Sequence, residues 1–89
     1  MRYSVRISDI AEKQVAKLSR DDLKRIYSWI ETNLEGCEDP YRTGKPLEGQ
    51  YKGLWRYRVG DYRIFARISD GELLILIIEV KHRRNAYKG

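Results

Sequence analysis

Eighty-nine residues, 42% hydrophobic and 35% charged, make one domain (1–89) with one modest core and exclude a disordered tail. One cysteine excludes an internal disulfide, and one cysteine with one histidine is too few for a zinc site, so no metal or other cofactor is expected. The net charge of +5 suits a basic protein in the cytoplasm. The longest apolar run, Leu73 to Ile78, falls far short of the roughly 20 residues of a membrane span, and the first residues lack the apolar stretch of a secretory signal.

Tyr3, Val5 and Ile7 alternate with Ser4 and Arg6 and predict a short strand. Asp9 and Glu12 have the spacing of a capping box for a first helix with Ala11, Val15 and Leu18 on one face. Ser19 is placed to cap a second helix, with Asp21 and Asp22 at the positive end of its dipole. Leu23, Ile26, Tyr27, Ile30 and Leu34 form its apolar stripe, and Gly36 suits its end. The two helices meet at Leu18-Ser19 and predict a helical hairpin. Cys37 to Gly53, with two prolines and three glycines, reads as a connector longer than usual, either a functional loop or a plain crossover.

From Leu54 the period becomes two. A strand over 54–59 places Trp55, Tyr57 and Val59 on one side and Arg56 and Arg58 on the other. Gly60-Asp61 is a two-residue turn signal, and a strand over 62–68 follows. Asp70-Gly71 is a second such signal, before a strand over 73–81 that is apolar on both faces and reads as central. The fold class is therefore α+β: a strand, a helical hairpin, then a three-stranded antiparallel meander, with the helices on one sheet face. Trp29 and Trp55 belong to the core, and Cys37 is an inert residue after a helix.

Residues 1–44 carry eight cations and eight acids, whereas residues 45–89 carry ten cations and five acids. The whole net charge thus sits in the second half, where a one-sided positive field attracts polyanions. A two-residue turn at Gly60-Asp61 pairs Arg58 with Arg63 and Arg56 with Phe65. Like charges directly opposite are destabilising, so Arg56, Arg58, Arg63 and Arg67 read as an anion site on the face away from the helices. A two-residue turn at Asp70-Gly71 pairs Arg63 with Ile78, which places Val80 and His82 on that face and points Arg83 away. An extra loop residue, a bulge or an earlier strand end reverses this. The basic end, Lys81-His82-Arg83-Arg84-Asn85-Ala86-Tyr87, adds cations, an imidazole and a ring suited to single-stranded RNA.

The segments Gly44-Lys45-Pro46-Leu47-Glu48-Gly49 and Gly53-Leu54-Trp55-Arg56-Tyr57-Arg58-Val59-Gly60-Asp61-Tyr62-Arg63-Ile64-Phe65, followed by His82-Arg83 and Tyr87, resemble the RelE branch of the RelE/ParE toxin superfamily. The resemblance implies the toxin of a toxin–antitoxin pair, with a RelB-like antitoxin that wraps it. The implied activity is metal-independent cleavage of mRNA in the ribosomal A site, by attack of a ribose 2′-hydroxyl to leave a 2′,3′-cyclic phosphate. By position, Arg63 matches the family arginine that holds the scissile phosphate, and Arg56 a catalytic basic position. Arg83 matches a transition-state or leaving-group residue, and Tyr87 a tyrosine that stacks on the nucleotide. Lys52 and Arg58 fit phosphate contacts, and Lys45, Arg67, Lys81 and Arg84 extend the RNA-binding set. Leu54 stands where some members carry a lysine, and arginine is a poor base. The proton acceptor is therefore open, with His82 the chemically obvious candidate and Glu48, Glu79, Lys52 and Lys81 the others. The rivals are a ParE-like toxin of DNA gyrase and a non-catalytic RNA- or DNA-binding module.

Overall fold

The computed structural model describes residues 1–86. Its elements run β1 (Ser4–Ile7), α1 (Asp9–Ala16), α2 (Arg20–Asn33), β2 (Lys45–Pro46), a single 3₁₀ turn (Gly49–Tyr51), β3 (Trp55–Val59), β4 (Tyr62–Ser69) and β5 (Leu74–His82). The sheet order is β1-β5-β4-β3-β2, with β1 parallel to β5 and the other pairs antiparallel. Joining β1 to β5 completes a five-stranded sheet around the expected meander, and β2 is a strand within the stretch expected to be a connector.

Both helices begin on serine. Ser8, rather than Asp9, caps α1: its Oγ accepts the Ala11 N–H at 3.1 Å and donates to the Ile78 carbonyl at 2.8 Å. Ser8 thereby ties the helix to the sheet while satisfying one of its unpaired donors. Ser19 caps α2 as its spacing predicts, accepting from the Asp22 N–H at 3.2 Å. After α2 the chain reverses at Gly36, whose φ of 76° is the left-handed conformation in which glycine carries no steric cost.

The helices cover one sheet face. Ala11 and Val15 of α1 and Ile26 and Ile30 of α2 pack with Leu34, Tyr57, Val59, Ile64, Ala66, Ile75, Ile77 and Val80 in one buried core. Trp29 lies against Tyr57 with ring centroids 5.4 Å apart, and Trp55 packs partly buried at the core margin. The other face of β5 is only half-buried at Leu74 and Leu76, because no helix covers it. The strand is interior, between β1 and β4, but not covered by helices on both sides.

Hydrogen bonds from aromatic side chains hold the chain after α2. Tyr57 donates to the Pro40 carbonyl at 2.6 Å and Trp55 Nε1 to the Thr43 carbonyl at 2.7 Å. Gly44 then turns onto the sheet with φ of 80°, so close to the Arg56 carbonyl and the Trp55 indole that a β-carbon has no room. Tyr3 and Tyr41 both donate to Asp70 Oδ1, at 2.7 and 2.8 Å, linking the first strand, the connector and the last hairpin.

These bonds hold the Asp70 carboxyl below its usual range, the Tyr3 bond contributing most and the Tyr41 bond next. They also help push both phenols up to about 12, Tyr3 chiefly through the bond to Asp70 and Tyr41 chiefly through burial. A carboxylate with a depressed folded pKa stabilises the fold above its ordinary value of about 3.9, and the gain is lost as pH falls through the folded value. The phenols act at the other end: their contribution is complete below their ordinary value of about 10 and is lost as pH rises toward the folded value. Thermal melts of wild type and Asp70→Asn are expected to differ at neutral pH and to converge in acid. A difference that does not vary with pH would contradict this linkage.

Candidate anion-binding site on the sheet

The β3–β4 hairpin has the register its turn predicts. Val59 faces Tyr62, Arg58 faces Arg63 and Arg56 faces Phe65. Gly60 has φ of 58° and Asp61 is not left-handed, the pattern of a type II′ turn with glycine first.

The β4–β5 register differs from the expected one. Four residues, Asp70 to Leu73, join the strands, and Leu73 takes a φ of 52° that is costly for a branched side chain. Two extra loop residues preserve side-chain parity. The bulge at Ile78 of β5, opposite the Phe65–Ala66 step, does not, and it reverses the faces beyond it. Arg63 therefore pairs with Lys81 rather than Ile78, and Phe65 pairs with Glu79.

Two rows of side chains result on the face away from the helices. One row is Arg58, Arg63 and Lys81. The other is Lys45, Arg56, Phe65 and Glu79, with Lys45 supplied by β2. Neighbouring strands lie about 4.8 Å apart, so the first row places three cations across roughly 10 Å. Arg67 lies further along β4 on the same face, exposed and opposite Leu76.

Val80 and His82 do not join this face, contrary to the expected register. Val80 is in the core under the helices, and His82 faces Tyr62, the two rings edge-to-face at 5.4 Å. His82 Nδ1 accepts the Arg84 N–H at 3.2 Å, so the imidazole shapes the turn that carries the terminal arginines.

The hairpin turn organises two of the arginines. Arg63 Nη1 donates to the Gly60 carbonyl at 3.2 Å and to the Tyr62 carbonyl at 3.1 Å. The Arg83 N–H donates to the intervening Asp61 carbonyl at 2.7 Å, and Arg83 Nε lies 3.7 Å from Asp61 Oδ1. Three consecutive carbonyls thus bring Arg83 to the same end of the sheet as Arg63. Arg83 is 59% exposed, and Arg84 is also exposed.

Phe65 is fully buried in the middle of this charged face. A second small core covers it: Leu47, Ala86, Tyr51 and Leu54, with the Tyr51 ring centred 5.5 Å away. Period-two alternation places Phe65 on this face but does not reveal its cover, because Leu47 to Leu54 has no regular period. Leu54 packs in this cluster, which gives the leucine at that position a structural role. Lys52 is exposed at the end of the 3₁₀ turn. Tyr87 lies outside the described residues. Among those residues no helix is long and apolar enough to cross a membrane, and no group of three or more His, Cys, Asp or Glu gathers as metal ligands.

The family model described as ParE toxin of type II toxin-antitoxin system, parDE, matches residues 5–87. Toxin RelG of Mycobacterium tuberculosis is 32% identical over 88 residues, 99% of each chain, and Toxin RelE of the same organism is 40% identical over 97% of this chain and 87% of its own. Among solved structures, the toxin–antitoxin complex RelBE2 of M. tuberculosis contains a chain that superposes with a TM-score of 0.84 at 31% identity, covering 93% of each chain. The RelE–RelB complex of Pyrococcus horikoshii gives 0.74 at 28% identity, covering 97% of this chain and all of that one. Shared sequence along the whole chain and a shared sheet make this protein a RelE-like member of the RelE/ParE family of toxins of type II toxin–antitoxin systems.

Proposed function

We propose that this toxin is a ribosome-dependent mRNA endoribonuclease that cuts in the A site by attack of a ribose 2′-hydroxyl on the adjacent phosphate. The observation that carries the reading is the row Arg58, Arg63 and Lys81, three cations facing one another across three strands. Placing like charges opposite costs stability, and the sheet recovers that cost when a phosphate lies on it.

The roles follow from position. Arg63 and Arg83 meet at one turn and hold the scissile phosphate as it becomes a dianionic phosphorane. Arg56, in the second row, adds charge from the side. Arg58, Lys45, Lys52, Arg67 and Arg84 track the backbone of the mRNA and the surrounding ribosomal RNA, and Lys81 adds its charge beside Arg63. For Tyr87 the family resemblance alone supports stacking on the nucleotide. His82 acts by holding the Arg83–Arg84 turn rather than as the base. The cations of the chain itself stabilise the transition state, so the reading requires no metal. The complexes formed by the relatives support a RelB-like antitoxin as partner, acting in the cytoplasm.

The test is purified protein added to ribosomes with a codon in the A site. Products ending in a 2′,3′-cyclic phosphate and a 5′-hydroxyl are expected, and uncut mRNA would contradict the reading. The ParE description of the matching family model favours one rival, inhibition of DNA gyrase. Loss of supercoiling activity in a purified gyrase assay would support that rival.

A further inference from the structure

Cleavage by a 2′-hydroxyl needs a group to take its proton and another to protonate the leaving oxygen. An arginine does not accept a proton near neutral pH, so the arginines of this face cannot be the base. Glu79 is the one carboxylate among the strand residues on that face, and its side chain is 29% exposed. Opposite it stands Phe65, with Arg63 and Arg67 diagonal to it on β4 and Arg56 beyond. On its own strand Lys81 Nζ lies 3.6 Å from Glu79 Oε2, with its side chain 24% exposed. Arg83 follows Lys81 at the strand end.

We infer that Glu79 and Lys81 are the general base and general acid of this face, an inference that rests on the endoribonuclease reading. The Glu79 carboxylate takes the proton from the 2′-hydroxyl as that oxygen bonds to phosphorus. The bond from phosphorus to the 5′-oxygen breaks, and the Lys81 ammonium gives its proton to the leaving oxygen. The proton on Glu79 then passes to the neutral Lys81 amine, which restores both groups. No proton is gained or lost overall, and at 3.6 Å the two groups exchange it through one water or after a shift of about half an ångström. The bulge at Ile78 in β5 makes this possible, because without it neither side chain would face Arg63.

The test is single-turnover cleavage on programmed ribosomes. One mRNA is ordinary, and the other carries sulfur in place of the bridging 5′-oxygen, which leaves as a thiolate without needing a proton. Glu79→Gln is expected to slow cleavage of ordinary mRNA by about 10²–10⁴ and to flatten the acid limb of the pH–rate profile. Glu79→Asp, which keeps a carboxylate, is expected to retain that limb at a reduced rate. Lys81→Met is expected to be slow on ordinary mRNA and restored by the sulfur substrate, whereas Glu79→Gln is not restored. If Glu79→Gln cuts at close to the wild-type rate while Arg63→Ala is inactive, the pair is overturned and the endoribonuclease stands. If wild type does not cut, both fall.

Discussion

Arg63→Ala is expected to abolish growth inhibition while leaving a folded protein that still binds its antitoxin. Arg63 is the middle cation of its row, and its guanidinium is fixed by two carbonyls of the hairpin turn. A preorganised donor aimed at developing charge contributes about 10²–10³ in rate, or roughly 3–4 kcal/mol. The structural cost is smaller. The lost bonds are to exposed or half-exposed carbonyls and are each worth about 1 kcal/mol, partly offset by relief of the repulsion with Arg58. Replacing Arg56 and Arg83 together by alanine is expected to give the same phenotype from the flanks of the site. Induction in cells, with circular dichroism and antitoxin pull-down as folding controls, separates the two quantities. Full toxicity of Arg63→Ala at equal expression would contradict the assignment.

Phe65→Ala is expected to be the most destabilising single truncation on the charged face, by about 3–5 kcal/mol. Phe65 is fully buried, yet it belongs to the face that carries the arginines rather than to the core under the helices. Removing it leaves a cavity beneath Leu47, Tyr51 and Leu54, so the segment carrying Lys45 and Lys52 loses its anchor. Phe65→Leu, which keeps most of the volume, is expected to recover most of the loss. Denaturant unfolding measures both, and hydrogen exchange at residues 47–54 reports the loosened segment. A cost below about 1 kcal/mol for Phe65→Ala would show that the second cluster contributes little packing energy.

Local chemistry explains which parts of the architecture were legible. Ser19 is recognised by what a helix start needs and occupies that place, whereas Leu34 caps the helix end and Gly36 makes the left-handed turn two residues beyond it. Gly60-Asp61 sets a two-residue turn, and every pairing in the β3–β4 hairpin follows from it. The arginine face is legible for the same reason, since period two and one known turn place Arg56, Arg58 and Arg63 without further information. The last hairpin is not, because Asp70-Gly71 suggests a tight turn and nothing nearby signals the bulge at Ile78. That single extra residue exchanges His82 for Lys81 and brings Glu79 to the site. Sequence spacing also cannot show that β1 pairs with β5, a parallel contact across some seventy residues. Ser8 rather than Asp9 caps the first helix because its hydroxyl can reach both the helix end and the Ile78 carbonyl, a partner supplied only by the folded sheet.

The proposed task of the cationic rows of this toxin is to cut mRNA on the ribosome. The most direct measurement is to induce the protein in cells and map the 5′ ends of mRNA on translating ribosomes. New 5′-hydroxyl ends in phase with codons are expected, and none when Arg63 is alanine. Intact mRNA in cells whose growth has stopped would contradict it.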